Sequence, residues 1–219
     1  MNSSRPMSEE TLSPRPIVGH LVDAANLLTL AGLLSSVLAI VFAVRGEFEA
    51  AGVGLVFAFI FDVLDGPVAK RLASRSATDR GFGANLDSLA DMVSAGGALG
   101  LVLLAFGEFN GVYVPGAFAL GAAAALRLSY FNVHGLDESS GRYTGLPTDM
   151  AVIAFAAIML LDEPLSRESF RATLYVGAIA IAGMMVSQLA IPKLTGRWYL
   201  ILIGSAVAVA AGHLVALAN

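Results

Sequence analysis

Long stretches without a charged side chain constrain this chain more than any other feature. Ala24–Val44, Ala172–Ile191 and Trp198–Asn219 are neutral and mostly apolar, and each has the roughly 20 residues a helix needs to cross a bilayer's hydrocarbon core. In hydrocarbon a backbone must satisfy its own N–H and C=O groups, so such runs fold as helices packed against one another. Composition agrees: 57% of the 219 residues are hydrophobic and 14% charged, with a mean hydropathy of +0.75. That is too little charge to solvate a water-exposed surface of this size. The polar first twenty residues precede the first apolar run, which does not read as a cleavable signal peptide.

Apolar-run lengths and breaker positions predict seven helices, roughly over 22–44, 50–72, 83–106, 112–133, 147–161, 172–191 and 197–217. The fifth is short and must borrow Pro147, Thr148 and Asp149 for its first turn. Ile191-Pro192 is expected to end the sixth, and Trp198-Tyr199 to anchor the seventh at the interface. The expected fold is an all-α polytopic membrane protein: a polar tail over 1–20, then a single transmembrane domain over 21–219. Ten of the thirteen Lys and Arg residues fall on one side of this topology, with only Arg45, Arg167 and Arg171 on the other. That asymmetry predicts a cytoplasmic N-terminus and an outside C-terminus. Absence of cysteine excludes disulfides, thiolate catalysis and Cys-ligated zinc. A net charge of −4 argues against a nucleic-acid partner.

Four aspartates break the apolar pattern within one short region. Asp62 and Asp65 are three apart in FDVLDGPVAKR, and Asp87 and Asp91 are four apart in GFGANLDSLADMVS. Those spacings put each pair on one face of its helix, and neighbouring helices can aim both pairs at one pocket. An ionised carboxylate at membrane depth costs about 2.5 to 3.5 kcal/mol, so four together require a cation between them or protons on some. Hard oxygen ligands suit Mg²⁺, Mn²⁺ or Ca²⁺ rather than zinc or copper. Such a cation can also hold a pyrophosphate, which makes this a candidate phosphate-handling site. Gly66, Ala69 and Gly83 beside the acids read either as close helix packing or as room for a ligand.

The string Asp62-x2-Asp65-Gly66-x2-Ala69-Lys70 … Gly83-x3-Asp87-x3-Asp91 closely resembles the signature of CDP-alcohol phosphotransferases, D-x2-D-G-x2-A-R … G-x3-D-x3-D. The match fails at one specified position, Lys70, where the family usually has Arg. There a point charge replaces a bidentate fork. The segment 71–82 is also longer than the family's usual spacing. Its Arg71, Arg75 and Arg80 read first as solvated positive-inside charges and second as phosphate or headgroup contacts. The resemblance implies the family's six-helix core with the seventh helix as an addition. It implies Asp62, Asp65, Asp87 and Asp91 as ligands of a divalent metal, Mg²⁺ or Mn²⁺ and two ions, with Asp91 also as general base. It further implies that Asp62, Gly66, Ala69, Lys70 and Gly83 line a pocket for cytidine diphosphate. Asn26, three before Thr29 in the first helix, becomes a cytidine or ribose contact on the same ground, or else one member of a polar pair bonding between helices.

Two further strings, LRLSYFNV over 126–133 and RYTGLPT over 142–148, resemble the phosphatidylserine synthase branch of that family. The implied reaction moves a phosphatidyl group from CDP-diacylglycerol to serine and releases CMP, in a homodimer at the cytoplasmic membrane with its site facing the cytoplasm. Arg127, an arginine at membrane depth, is the candidate for the serine carboxylate or the donor phosphate, and Arg142 is a second. Asn132 and Tyr143 are candidates for a polar pocket. Other acceptors (glycerol phosphate, inositol phosphate, choline) and an ether-linked CDP-archaeol donor are the alternatives within this chemistry. A cation transporter is a more distant one, because no acid continues the path through the last two helices.

Overall fold

The computed structural model describes residues 16–72, 75–136, 141–192 and 197–218. A 3-10 turn, Ile17–Val22, leads into α1 (Ala24–Val44), whose N-terminus is capped by the Asp23 side chain accepting from Ala25 N–H. α2 is Phe48–Arg71, and α3 runs unbroken over Ala77–Phe106. α4 is Val114–His134, α5 Thr148–Met159, α6 Arg167–Met185 and α7 Arg197–Ala218. The seven expected helices are therefore present. Five of them, α1 to α4 and α7, are long and apolar enough to cross a membrane. α5 has twelve residues, about 18 Å of helix, and α6 opens on Arg167, Glu168 and Arg171.

Two boundaries differ from the sequence reading. α3 begins at Ala77 rather than 83, because Ser76 and Asp79 form a reciprocal capping box. The long loop expected over 71–82 is thus mostly helix. α6 stops at Met185, short of Ile191, and the apolar chain beyond it turns extended. Ala190–Pro192 (β2) pairs antiparallel with Arg142–Thr144 (β1), in register Arg142↔Pro192, Tyr143↔Ile191 and Thr144↔Ala190. This ribbon adds two short strands to an otherwise helical fold. Gly145 after β1 has φ +76°, and a Cβ there would strike the Met185 carbonyl, so a side chain at 145 would be strained twice over.

The helices close on a core of Leu55, Phe59, Leu99, Leu103, Leu120, Phe155, Phe170 and Leu174. α1 lies closest to α2, where a Cβ on Gly54 would sit 3.1 Å from the Ala39 backbone. Small residues permit that approach in a setting where water supplies no driving force. Leu34, Val37, Val41 and Val44 of α1 and Leu200, Val207, Leu214 and Val215 of α7 face outward, as lipid-facing side chains must. α7 is held at both ends. Near its C-terminal end His213, fully buried, bonds Glu49 of α2 through Nδ1 (2.6 Å) and the Ala156 carbonyl of α5 through Nε2 (3.0 Å). At the other end the Tyr199 hydroxyl donates to the Val63 carbonyl of α2. Pro67 lies four residues beyond Val63 inside α2 and has no N–H to offer it, so Tyr199 replaces a missing helix bond. The Trp198 side chain and Lys193 lie outside the described residues.

Candidate active site

α2 carries Asp62 and Asp65 and α3 carries Asp87 and Asp91 into one cavity of about 630 Å³. Carboxylate oxygens of Asp62, Asp87 and Asp91 lie within 4.8 Å of one another. Oxygens on opposite sides of one Mg²⁺ are about 4.2 Å apart, so small rotamer changes would close this set around an ion. Among the described residues no Lys, Arg or His lies within 4 Å of these three carboxylates. Three half-buried acids without a protein cation fit a divalent metal by chemistry as well as by spacing. Asp65 turns toward α1, where Thr29 Oγ1 donates to its Oδ2 at 2.6 Å. Asp91 accepts from Thr148 Oγ1 at 2.7 Å, which fixes its carboxyl against the start of α5.

A π-helical stretch, Met92–Ala98, follows Asp91 directly inside α3. The wider turn rotates the faces on either side of it relative to one another. Asp87 and Asp91 consequently face the cavity, while Leu99, Val102 and Leu103 beyond the stretch remain in the core.

A second, narrower cleft of about 200 Å³ shares Asp65, Gly66 and Asp87 with the main cavity and adds Asn26, Ala69, Gly83 and Arg75. Most residues that the sequence assigned to a nucleotide pocket thus meet in one place. A Cβ at Gly66 would meet nothing within 4 Å, so that glycine faces open space and not a packed helix. At Gly83 the neighbour is Arg75: a Cβ would lie 2.5 Å from its Nη2 and 3.1 Å from Asn26 Oδ1. Arg75 is not a solvated loop charge. Its Nε pairs with Asp23 at 2.6 Å and its Nη2 donates to Asn26 Oδ1 at 3.0 Å. Asn26 in turn donates to the His20 carbonyl at 3.0 Å, and the His20 ring is buried and stacked on Phe82. Lys70, exposed, lines the rim of the main cavity instead of the cleft.

The far wall of the main cavity comes from α4, β1 and α5. Arg127 is buried at 6% exposure, and its Nε is enclosed without a hydrogen-bond partner. Its guanidinium lies 5.2 Å from the Phe131 ring centre and 6.0 Å from that of Tyr143, flat surfaces that orient a planar cation. Burial pushes the Tyr143 hydroxyl above its ordinary range, so it stays protonated at neutral pH. Alternation along β1 turns Tyr143 inward and leaves Arg142 exposed, outside the cavity. Asn132 is exposed and bonds the Ser88 hydroxyl at 3.1 Å. Asp149, Thr148 and Tyr199 also line the cavity, and sequence reasoning gave none of them a role in it.

Carboxylates gathered at membrane depth, a cleft beside them and a guanidinium opposite are the parts of a metal-assisted membrane transferase handling an anionic group. Residues 22–209 match the family model for CDP-alcohol phosphatidyltransferase, and the chain belongs to that family of transferases. It is similar to an archaetidylserine synthase of Methanothermobacter thermautotrophicus, 29% identical over 174 residues, which is 78% of this chain and 70% of the relative. A CDP-diacylglycerol–serine O-phosphatidyltransferase of Helicobacter pylori is 29% identical over 77% of the chain and 71% of its own length. A phosphatidylcholine synthase of Bradyrhizobium diazoefficiens is 27% identical over 79% of the chain and 62% of its own length.

Proposed function

We propose that the chain transfers the phosphatidyl group of CDP-diacylglycerol to the hydroxyl of L-serine, giving phosphatidylserine and CMP, at the cytoplasmic face of the membrane. The observation that carries the acceptor is Arg127, a buried guanidinium in the acid-lined cavity that makes no ion pair among the described residues. It suits a small carboxylate. Two of the relatives above carry serine in their names. The phosphatidylcholine synthase relative supports choline as a second reading, but choline offers Arg127 no anion. The archaetidylserine relative keeps an ether-linked donor open on the lipid side.

The cytidine end of the donor occupies the cleft of Asn26, Gly66, Ala69 and Gly83, with Lys70 at the rim toward the pyrophosphate. Asp62, Asp65, Asp87 and Asp91 would hold the divalent metal, Mg²⁺ or Mn²⁺ and two ions on this reading, which would neutralise the pyrophosphate charge. Asp91 takes the proton from the acceptor hydroxyl, and Thr148 holds its carboxyl in place for that transfer. The freed oxygen bonds to the phosphorus carrying diacylglycerol. The bond from that phosphorus to the bridging oxygen breaks, and CMP leaves with the electron pair. No covalent enzyme intermediate is needed. Lys70, Arg71, Arg75, Arg80, Arg127 and Arg142 cluster toward the site's end of the helices, which supports a cytoplasmic site. The homodimer implied by the family resemblance is part of this reading.

The test is CMP release by the purified protein in detergent, given CDP-diacylglycerol, Mg²⁺ or Mn²⁺ and one alcohol at a time. Metal-dependent release with serine alone is the expected result. Release with choline or glycerol phosphate and none with serine would overturn the acceptor while leaving the chemistry intact.

A further inference from the structure

On the far wall of the main cavity stand a guanidinium and a carboxyl that do not pair. Arg127, nine-tenths buried with an unpartnered Nε, stands on α4. Asp149, on the first turn of α5, accepts from the Met150 N–H at 2.7 Å and makes no ion pair among the described residues. Both line the cavity, yet no ion pair within 4 Å joins them. A lone charge at membrane depth is costly, and two free to move would close on one another. Arg127 is held back by the Phe131 and Tyr143 rings, and Asp149 by its place at a helix start. Asp149 also adjoins Thr148, whose hydroxyl holds Asp91.

We propose that Arg127 and Asp149 form a clamp for a zwitterionic amino-acid acceptor, Arg127 taking its carboxylate and Asp149 its ammonium. This rests on the serine reading above and gives it a second specificity-determining residue, one that lies outside the family signature. Asp149, Thr148 and Asp91 line the same cavity, and the clamp directs the acceptor's hydroxyl to the Asp91 carboxylate that Thr148 holds. A ligand with only one of the two charges leaves the other residue bare, and a site built for a polar partner rejects analogues that lack it.

Three acceptors separate the two ends: L-serine, 3-hydroxypropanoate (serine without its amino group) and serine methyl ester (its carboxylate masked). CMP release is followed with each in the wild type, Asp149→Asn and Arg127→Gln. The wild type is expected to prefer serine over both analogues. Asp149→Asn should lose about 30-fold or more in kcat/KM for serine but less than about threefold for 3-hydroxypropanoate, because the lost partner is the ammonium alone. Arg127→Gln should reverse the pattern, losing serine and 3-hydroxypropanoate while sparing the ester. Equal losses on serine and 3-hydroxypropanoate in Asp149→Asn, or a shifted Mn²⁺ requirement, would overturn the clamp. So would a wild type that uses 3-hydroxypropanoate as well as serine, a result that needs no variant to fold. A wild type that ignores serine and uses a phosphorylated alcohol would remove the serine reading and the clamp together. Serine turnover with unchanged selectivity in Asp149→Asn would remove the clamp alone.

Discussion

Asp91 has three polar neighbours, the carboxylates of Asp62 and Asp87 and the Thr148 hydroxyl. An asparagine keeps an oxygen for Thr148 and removes the proton acceptor. Asp91→Asn is therefore expected to fold and to be stabilised by CDP-diacylglycerol like the wild type, while CMP release drops about 10²- to 10⁴-fold. Thermal unfolding with and without donor, beside a turnover assay, checks both halves; turnover at the wild-type rate would remove Asp91 as base. The four signature acids were legible in the sequence because charge is rare in membrane helices and their spacing is helical. Asp149 was not, since an acid in a helix's first turn has an ordinary explanation in the helix dipole. Arg75 was hidden for a related reason. A cation between two membrane helices satisfies the positive-inside rule, and nothing in the string shows that Asp23 and Asn26 draw it inward.

Among the elements, α3 bears most on the chemistry. Its π-helical stretch begins at the residue after Asp91 and contains Gly96 and Gly97. A regular α-helix here would turn the two ends of α3 by about 100° per residue removed, taking either the acids from the cavity or Leu99 and Leu103 from the core. Deleting Gly97, whose Cβ position has no neighbour closer than 4.0 Å, is expected to give a membrane-inserted protein with CMP release down at least about 100-fold. A deletion variant with wild-type turnover would show that the stretch does not set the facing of Asp87 and Asp91. Helix existence and order could be read from apolar-run length. The π turn could not, because Met92–Ala98 has the same small, apolar character that any α-helix there would carry. The ribbon was equally invisible: β1 and β2 are separated by all of α5 and α6, and three residues per strand leave no alternating pattern to detect. The start of α3 was recoverable, since Ser76 and Asp79 spell a capping box.

Across the molecule, α7 reads from sequence as an addition to a complete bundle, yet it closes the site. Tyr199 and Leu202 line the main cavity, and the helix is fastened by Tyr199 to Val63 and by His213 to Glu49 and Ala156. Between those points α7 offers mostly small or lipid-facing side chains, so the fastenings set its position. His213→Ala removes the C-terminal one and leaves Glu49 without its partner, an expected loss of about 2 kcal/mol in stability. It should appear as a lower melting temperature in detergent, with the KM for CDP-diacylglycerol at the wild-type value. An unchanged melting temperature would show that the histidine is only filler. The bond from Tyr199 to Val63 spans 136 residues of sequence, and that distance has a consequence for biogenesis. At about 5–20 residues per second, the ribosome delivers Tyr199 roughly 7 to 27 s after Val63. Through that interval α2 waits in the translocon's neighbourhood with a bare carbonyl beside its aspartates. The wall that Tyr199 and Leu202 give the chamber is therefore in place only once α7 has entered the bilayer.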